Sequence, residues 1–115
     1  MRAAILRGRR QLTIETVSEA PLRPGEVRVR IEAALTCGTD LKVWKRGYHA
    51  RMLRPPCAFG HEFAGVICES TPEAAGWHPG DRVVAANSAP CGECDACGRG
   101  QENLCTGLLF LNGAY

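Results

Sequence analysis

A chain of 115 residues with 45% apolar and 23% charged side chains has room for one domain with a real core, not two, and lies outside the disordered and membrane composition classes. Its formal charge of +2 points to no polyanionic partner, so no nucleic acid is expected. No apolar run approaches the ~20 residues of a membrane span, and the opening Met1-Arg2-Ala3-Ala4-Ile5-Leu6-Arg7-Gly8 is too short an apolar segment for a secretory leader. The expected compartment is therefore the reducing cytoplasm, where thiols stay free or hold metal.

Residues 2–7 and 11–18 read as two short strands, with Gly8-Arg9-Arg10 as the turn of an antiparallel hairpin. Arg7, Arg9 and Arg10 form a small basic cluster there, read as a solvated hairpin end. Pro21, Pro24 and Gly25 then punctuate the chain before residues 26–36, where Val27, Val29 and Ile31 alternate with Arg28 and Arg30. That period of two predicts a strand. The stretch 37–47 predicts a strand end followed by one or two helical turns, with Gly47 as the stop. Residues 48–54 read as a polar, basic loop, and Pro55-Pro56 forces an extended approach to Gly60-His61-Glu62. A strand over 63–69, a loop over 70–79, a short buried strand over 82–86 and a new strand beginning near residue 108 complete the pattern. Many short strands with little helix predict a mainly β fold, a barrel or a sandwich.

Four of the seven cysteines fall in Cys91-Gly-Glu-Cys94-Asp-Ala-Cys97-Gly-Arg-Gly-Gln-Glu-Asn-Leu-Cys105. Two successive Cys-x2-Cys steps aim three sulfurs at one point, and the excursion to Cys105 returns a fourth to close a tetrahedron. This is the pattern of a closed, structural zinc site. A disulfide framework fits poorly with an odd cysteine count and four sulfurs so close together. Structural zinc contributes an apparent ~10–16 kcal/mol in small peptides, against ~5–15 kcal/mol for the whole stability of a typical domain, so this lobe is expected to depend on its metal. Cys57 and Cys68 belong to no motif and read as small fillers.

A second set is more dispersed: Cys37 and His61-Glu62, each at a predicted strand edge. One thiol, one imidazole and one carboxylate make the mixed donor set of an open zinc site, which keeps a position for substrate. The spacing alone does not bring these residues together; the fold must.

Taken together, Cys37-Gly-Thr-Asp40, Pro56-x3-Gly60-His61-Glu62-x2-Gly65, Gly80-Asp81-Arg82-Val-Val and the four-cysteine lobe ending Asn103-Leu104-Cys105 resemble the zinc-containing alcohol dehydrogenases of the medium-chain dehydrogenase/reductase superfamily. The resemblance runs over essentially the whole chain. It implies a GroES-like, partly open β-barrel catalytic domain with short helices and a structural zinc lobe over 91–105. It also implies one structural and one catalytic zinc, with NAD or NADP held by a C-terminal Rossmann domain of the same full-length chain, and a homo-oligomer. Cys37 and His61 match catalytic zinc ligands, and Glu62 matches an adjacent glutamate that ligates zinc directly in some members only. Thr39 matches a hydroxyl that passes the substrate proton toward solvent, and Asp40 a carboxylate that orients the histidine. His49 could extend that relay, although a surface histidine is the plainer reading.

Three departures accompany the resemblance. Thr71 stands where the Gly-His-Glu signature has glycine or alanine, and Cys57 and Cys68 are extra. No Gly-x-Gly-x-x-Gly follows a predicted strand, and Gly98-Arg-Gly100 lies inside the zinc lobe, so no nucleotide-binding fingerprint is present. The expectation is an N-terminal piece, inactive alone, of an enzyme transferring hydride between NAD(P) and an alcohol, polyol or amino alcohol. The rivals are a zinc-stabilised binding module without catalysis and a superfamily relative with lyase or reductase activity. Against a nucleic-acid module, Glu93, Asp95 and Glu102 surround the cysteines, with Arg99 the lone cation.

Overall fold

The computed structural model describes residues 1–111. Strands β1 (Arg2–Gly8) and β2 (Gln11–Thr16) form the expected antiparallel hairpin, and β4 (Cys57–Ala58) pairs with the other edge of β1. A second antiparallel sheet has the order β3 (Val27–Leu35), β5 (Glu62–Ser70), β6 (Arg82–Val84). Two short strands, β7 (Ser88–Ala89) and β8 (Leu109–Phe110), pair to close the base of the cysteine lobe. The lobe holds one turn of helix, α2 (Asp95–Gly98), and a 3-10 turn over Glu102–Leu104. The fold is mainly β, as expected. Among the described residues it consists of three open sheets and no closed barrel.

Alternation explains the start of β3 but not its end. The register against β5 shifts between Arg28 and Val29 and again between Ile31 and Ala33, and each shift re-aims the side chains that follow. Ile31 is consequently 51% and Leu35 73% exposed. Opposite Ile31 stands Gly65, where a Cβ would run into the Arg30 carbonyl oxygen.

Helix α1 (Gly38–Arg46) has well-defined ends. Cys37 is its N-cap in extended conformation, and Asp40 at the third helical position completes a capping box; Gly47 ends it in the left-handed region at φ 90°. The β1–β2 turn packs on that end, for a Cβ on Gly47 would lie 2.6 Å from the Arg9 nitrogen. Here the hairpin is not merely solvated: the Arg10 N–H donates to the Trp44 carbonyl at 2.8 Å and Arg9 Nε to the Lys45 carbonyl at 3.1 Å. Both close carbonyls that the helix leaves unpaired. Arg7 pairs with Glu15 across the hairpin.

The loop after α1 also differs from its polar reading. Met52 and Leu53 are buried with Leu6 and Val43, and Trp44, Cys57, Phe59 and Phe110 pack around them. Five intervening residues link these apolar positions to α1, and the loop turns back through a bridge between His49 and Leu53. Cys57 is thus half-buried beside the core, while Cys68 is exposed. The Pro55-Pro56 peptide bond is cis. Strand β6 is an edge rather than a buried strand, with Val84 79% exposed. The strand expected from residue 108 is found at Leu109–Phe110; residues 112–115 lie outside the described residues.

The accessible surface is 8167 Å², whereas a self-contained monomer of 12.4 kDa exposes about 6,100 Å². Leu12, Ile14, Ile31, Leu35 and Val84 account for part of the excess. A cleft of about 430 Å³ walled by Leu12, Ile31, Leu35, Phe59 and Phe63 reaches down to Asp40 and His61.

Candidate metal centres

The four lobe cysteines converge. Cys94 Sγ lies 3.5 Å from Cys97 Sγ and 3.9 Å from Cys105 Sγ, and Cys105 Sγ lies 3.5 Å from Cys91 Sγ. A tetrahedron with Zn–S bonds of ~2.3 Å has edges of about 3.8 Å, so these three separations are close to what zinc needs, and all four sulfurs lie within 4.8 Å of one another. Backbone amides surround the sulfurs. The Cys91 N–H donates to Cys105 Sγ at 3.2 Å, and amides of Glu93 and Cys94 turn toward Cys91, pulling its thiol below the ordinary value. Amide donation from Cys97 and from Thr106 pulls Cys94 down as well. Burial, reinforced by the neighbouring thiol of Cys94, pushes Cys97 up. Such a site holds some protons when empty and must release them to take a cation.

The second set converges too. Cys37 Sγ stands 3.3 Å from His61 Nε2, and one donor atom each from Cys37, His61 and Glu62 lies within 4.8 Å of the others. Zinc bonds of ~2.3 Å to sulfur and ~2.0–2.1 Å to nitrogen, at a tetrahedral angle, separate the two donors by about 3.6 Å. The pair is therefore close to ready. Glu62 Oε1 is 4.0 Å from His61 Nε2 on a side chain 44% exposed, longer than the edge of about 3.4 Å between nitrogen and oxygen ligands. Of the three, it sits at the rim.

Local structure explains the convergence. Cys37 occupies the junction where β3 ends and α1 begins, and its Sγ accepts the Thr39 N–H at 3.2 Å. Gly60, at φ 105°, turns the chain in the left-handed region just before His61, and β5 begins one residue later at Glu62. Asp40, 4% exposed, reaches across with both oxygens: Oδ2 accepts the Cys37 N–H at 2.9 Å and Oδ1 faces His61 Nδ1 at 3.1 Å. That contact leaves Nε2 of the imidazole turned toward the thiol.

Thr39 stands half-buried at the first turn of α1, beside Cys37. His49 is not joined to it; its Nδ1 instead accepts the N–H groups of Met52 at 3.0 Å and Arg51 at 3.3 Å, tying its own loop. Two contributors were missed from sequence. The second oxygen of Asp40 was signalled by its position three residues after the N-cap, and Thr106, the residue after the last cysteine, had no such signal.

Known proteins resemble this chain over most of its length. A family model described as the alcohol dehydrogenase GroES-like domain matches residues 23–115. Sorbitol dehydrogenase of Bacillus subtilis is 33% identical over 112 residues, covering 96% of this chain and 32% of that protein. L-threonine 3-dehydrogenase of Pyrococcus furiosus is 42% identical over 83 residues, covering 71% of this chain and 24% of that protein. The alcohol dehydrogenase of the archaeon Aeropyrum pernix superposes with a TM-score of 0.83 at 33% identity, covering 96% of this chain and 33% of that one. The matches span between about a quarter and a third of the length of these relatives. No described helix is long and apolar enough to cross a membrane.

Proposed function

We propose that this chain, which belongs to the alcohol dehydrogenase GroES-like domain family, is the N-terminal, metal-holding part of a longer zinc-dependent dehydrogenase. The whole protein would transfer hydride between a nicotinamide cofactor, NAD or NADP, and a small alcohol, polyol or amino alcohol. Residues 1–115 would form part of its catalytic domain, with 91–105 as a structural zinc lobe. The observation that carries the reading is the approach of Cys37 and His61, 24 positions apart, to 3.3 Å. A binding module that needed only the cysteine lobe would have no use for that second convergence.

Cys91, Cys94, Cys97 and Cys105 would hold one zinc in an all-sulfur shell that leaves no position for substrate. Cys37 and His61 would hold the other, with Glu62 at its rim. When bound there, zinc supplies Lewis acidity that polarises the substrate oxygen and eases loss of its proton. Asp40 keeps His61 in the tautomer with Nδ1 protonated and Nε2 free to ligate, and anchors the backbone of Cys37 at the same time. Thr39, one residue beyond the Cys37–Gly38 junction, would accept the substrate proton at its hydroxyl oxygen and pass its own toward solvent.

The surface excess and the uncovered apolar walls beside His61 support a further domain of the same full-length chain. The whole protein would be a cytoplasmic homo-oligomer.

The test is a spectrophotometric assay of the full-length protein for NAD and NADP reduction with sorbitol, threonine and simple primary alcohols. Turnover with one of them, abolished in Cys37→Ser, is expected. Absence of turnover with every alcohol and both nucleotides, in protein carrying its zinc, would count against the dehydrogenase and favour the lyase or reductase relative.

A further inference from the structure

We infer that His49 is a pH-sensitive clasp: its neutral imidazole holds the loop over residues 48–54 against the core, and protonation at Nδ1 releases it. Nδ1 accepts two backbone N–H groups, from Met52 at 3.0 Å and from Arg51 at 3.3 Å. Only an unprotonated ring nitrogen can do so. The main chain of His49 closes the same loop, with the His49 N–H on the Leu53 carbonyl at 3.1 Å and the Leu53 N–H on the His49 carbonyl at 3.4 Å. Within these bonds the chain turns over residues 50–52, and Met52 and Leu53, 8% and 6% exposed, enter the core beside Leu6 and Val43. The side chain of His49 thus ties the one stretch of this loop that the core needs.

A proton on Nδ1 turns that acceptor into a donor facing two donors. Both N–H groups lose their partner, and the half-buried ring takes on a charge. His49 has no ion pair among the described residues to offset it. The loop itself carries Tyr48, Arg51 and Arg54, and Arg51 already lies over the Phe110 ring at 5.8 Å. Of the elements packed with it, α1 carries Lys42, Lys45, Arg46 and Asp40. Strand β1 carries Arg2 and Arg7, β4 carries Cys57, and β8 carries no titratable group. Asp40 is the one carboxylate among these, and its oxygens serve Cys37 and His61; the other charges are cationic and oppose a further one. The closed loop therefore refuses a proton that the open loop takes up, so closure strengthens as pH rises and is lost as pH falls. The hydrogen bonds of His49 involve neither Cys37 nor His61, and the inference does not depend on a bound metal.

The experiment follows amide hydrogen exchange by mass spectrometry in the zinc-loaded full-length protein at about pH 8 and about pH 5, the interval over which an imidazole changes charge. Protection factors remove the intrinsic pH dependence of exchange. Protection over residues 48–54 is expected to fall roughly tenfold or more at the lower pH, while that of β5 holds. His49→Asn, whose side-chain oxygen accepts backbone N–H groups a few residues on without titrating, should keep the loop protected at both values. His49→Leu, which has no acceptor, should leave it weakly protected at both. Equal protection of the wild-type loop at the two pH values overturns the inference, as does a His49→Leu loop as protected as wild type at the higher one. A pH-dependent loss that persists in His49→Asn also overturns it, since the proton then lands elsewhere, and so does an equal loss throughout β5, which is unfolding of the whole chain rather than release of one loop.

Discussion

Asp40 and His61 are bound carboxylate to imidazole at 3.1 Å, and the same carboxylate caps the backbone of Cys37 at 2.9 Å. One buried side chain thereby fixes both the tautomer of one donor and the main-chain position of the other. An amide offers one acceptor where the carboxylate offers two, so Asp40→Asn leaves a donor unmet. Loss of about 1–2 kcal/mol of stability is expected from the unmet group and weakened cap. In the full-length protein, zinc affinity at Cys37 and His61 should fall roughly tenfold or more. Denaturant unfolding and metal competition check both; wild-type behaviour in the two measurements removes the linking role.

Cys94→Ala should lower bound zinc and the melting temperature together, because the lobe has little else to hold it. Among its described residues only Ala96 and Cys105 are buried. Atomic absorption alongside calorimetry makes the comparison, and an unchanged metal content contradicts the assignment.

Gly47→Ala should destabilise the chain by about 1–3 kcal/mol. Alanine at φ 90° is strained, and its Cβ would meet the Arg9 backbone. Equilibrium unfolding reads the effect. A neutral result would mean that the hairpin turn can move off the helix at no cost.

Thr39→Val keeps the shape of the helix's first turn and removes the hydroxyl. In the full-length protein the expected result is turnover reduced by ~10²-fold or more with zinc content unaltered. Unaltered turnover removes Thr39 from the proton path.

The Arg7–Glu15 pair gives a pH dependence. Hydrogen bonds from the Arg7 guanidinium, then from Thr13, hold the Glu15 carboxyl below the ordinary glutamate range. A depressed carboxyl contributes stability above its unfolded pKa, lost as pH falls through the folded one. Because the pair is exposed, the contribution is small. NMR titration should place the Glu15 midpoint below that of free glutamate, and Arg7→Gln should raise it; a midpoint indifferent to Arg7 contradicts the pairing.

Much of the cysteine centre was legible because its spacing is local: two Cys-x2-Cys steps and a short return fix the geometry whatever surrounds them. Cys37 and His61-Glu62 were legible as donors but not as neighbours, since the register of β3 against β5 and the turn at Gly60 bring them together. Hydropathy misjudged residues 48–54, where Arg51 and Arg54 flank the buried Met52 and Leu53, because a loop that folds back on a helix carries no period. Val84 was misjudged in the opposite sense. A run of valines fits a buried strand, but β6 is an edge whose outer face the described residues leave uncovered.

The central claim, that Cys37 and His61 hold a metal distinct from the one in the cysteine lobe, is tested most directly by the zinc content of the full-length protein and its Cys37→Ser variant. The account predicts that the variant loses one equivalent and keeps the other, while Cys94→Ala loses the complementary one. Zinc content untouched by Cys37→Ser would contradict it.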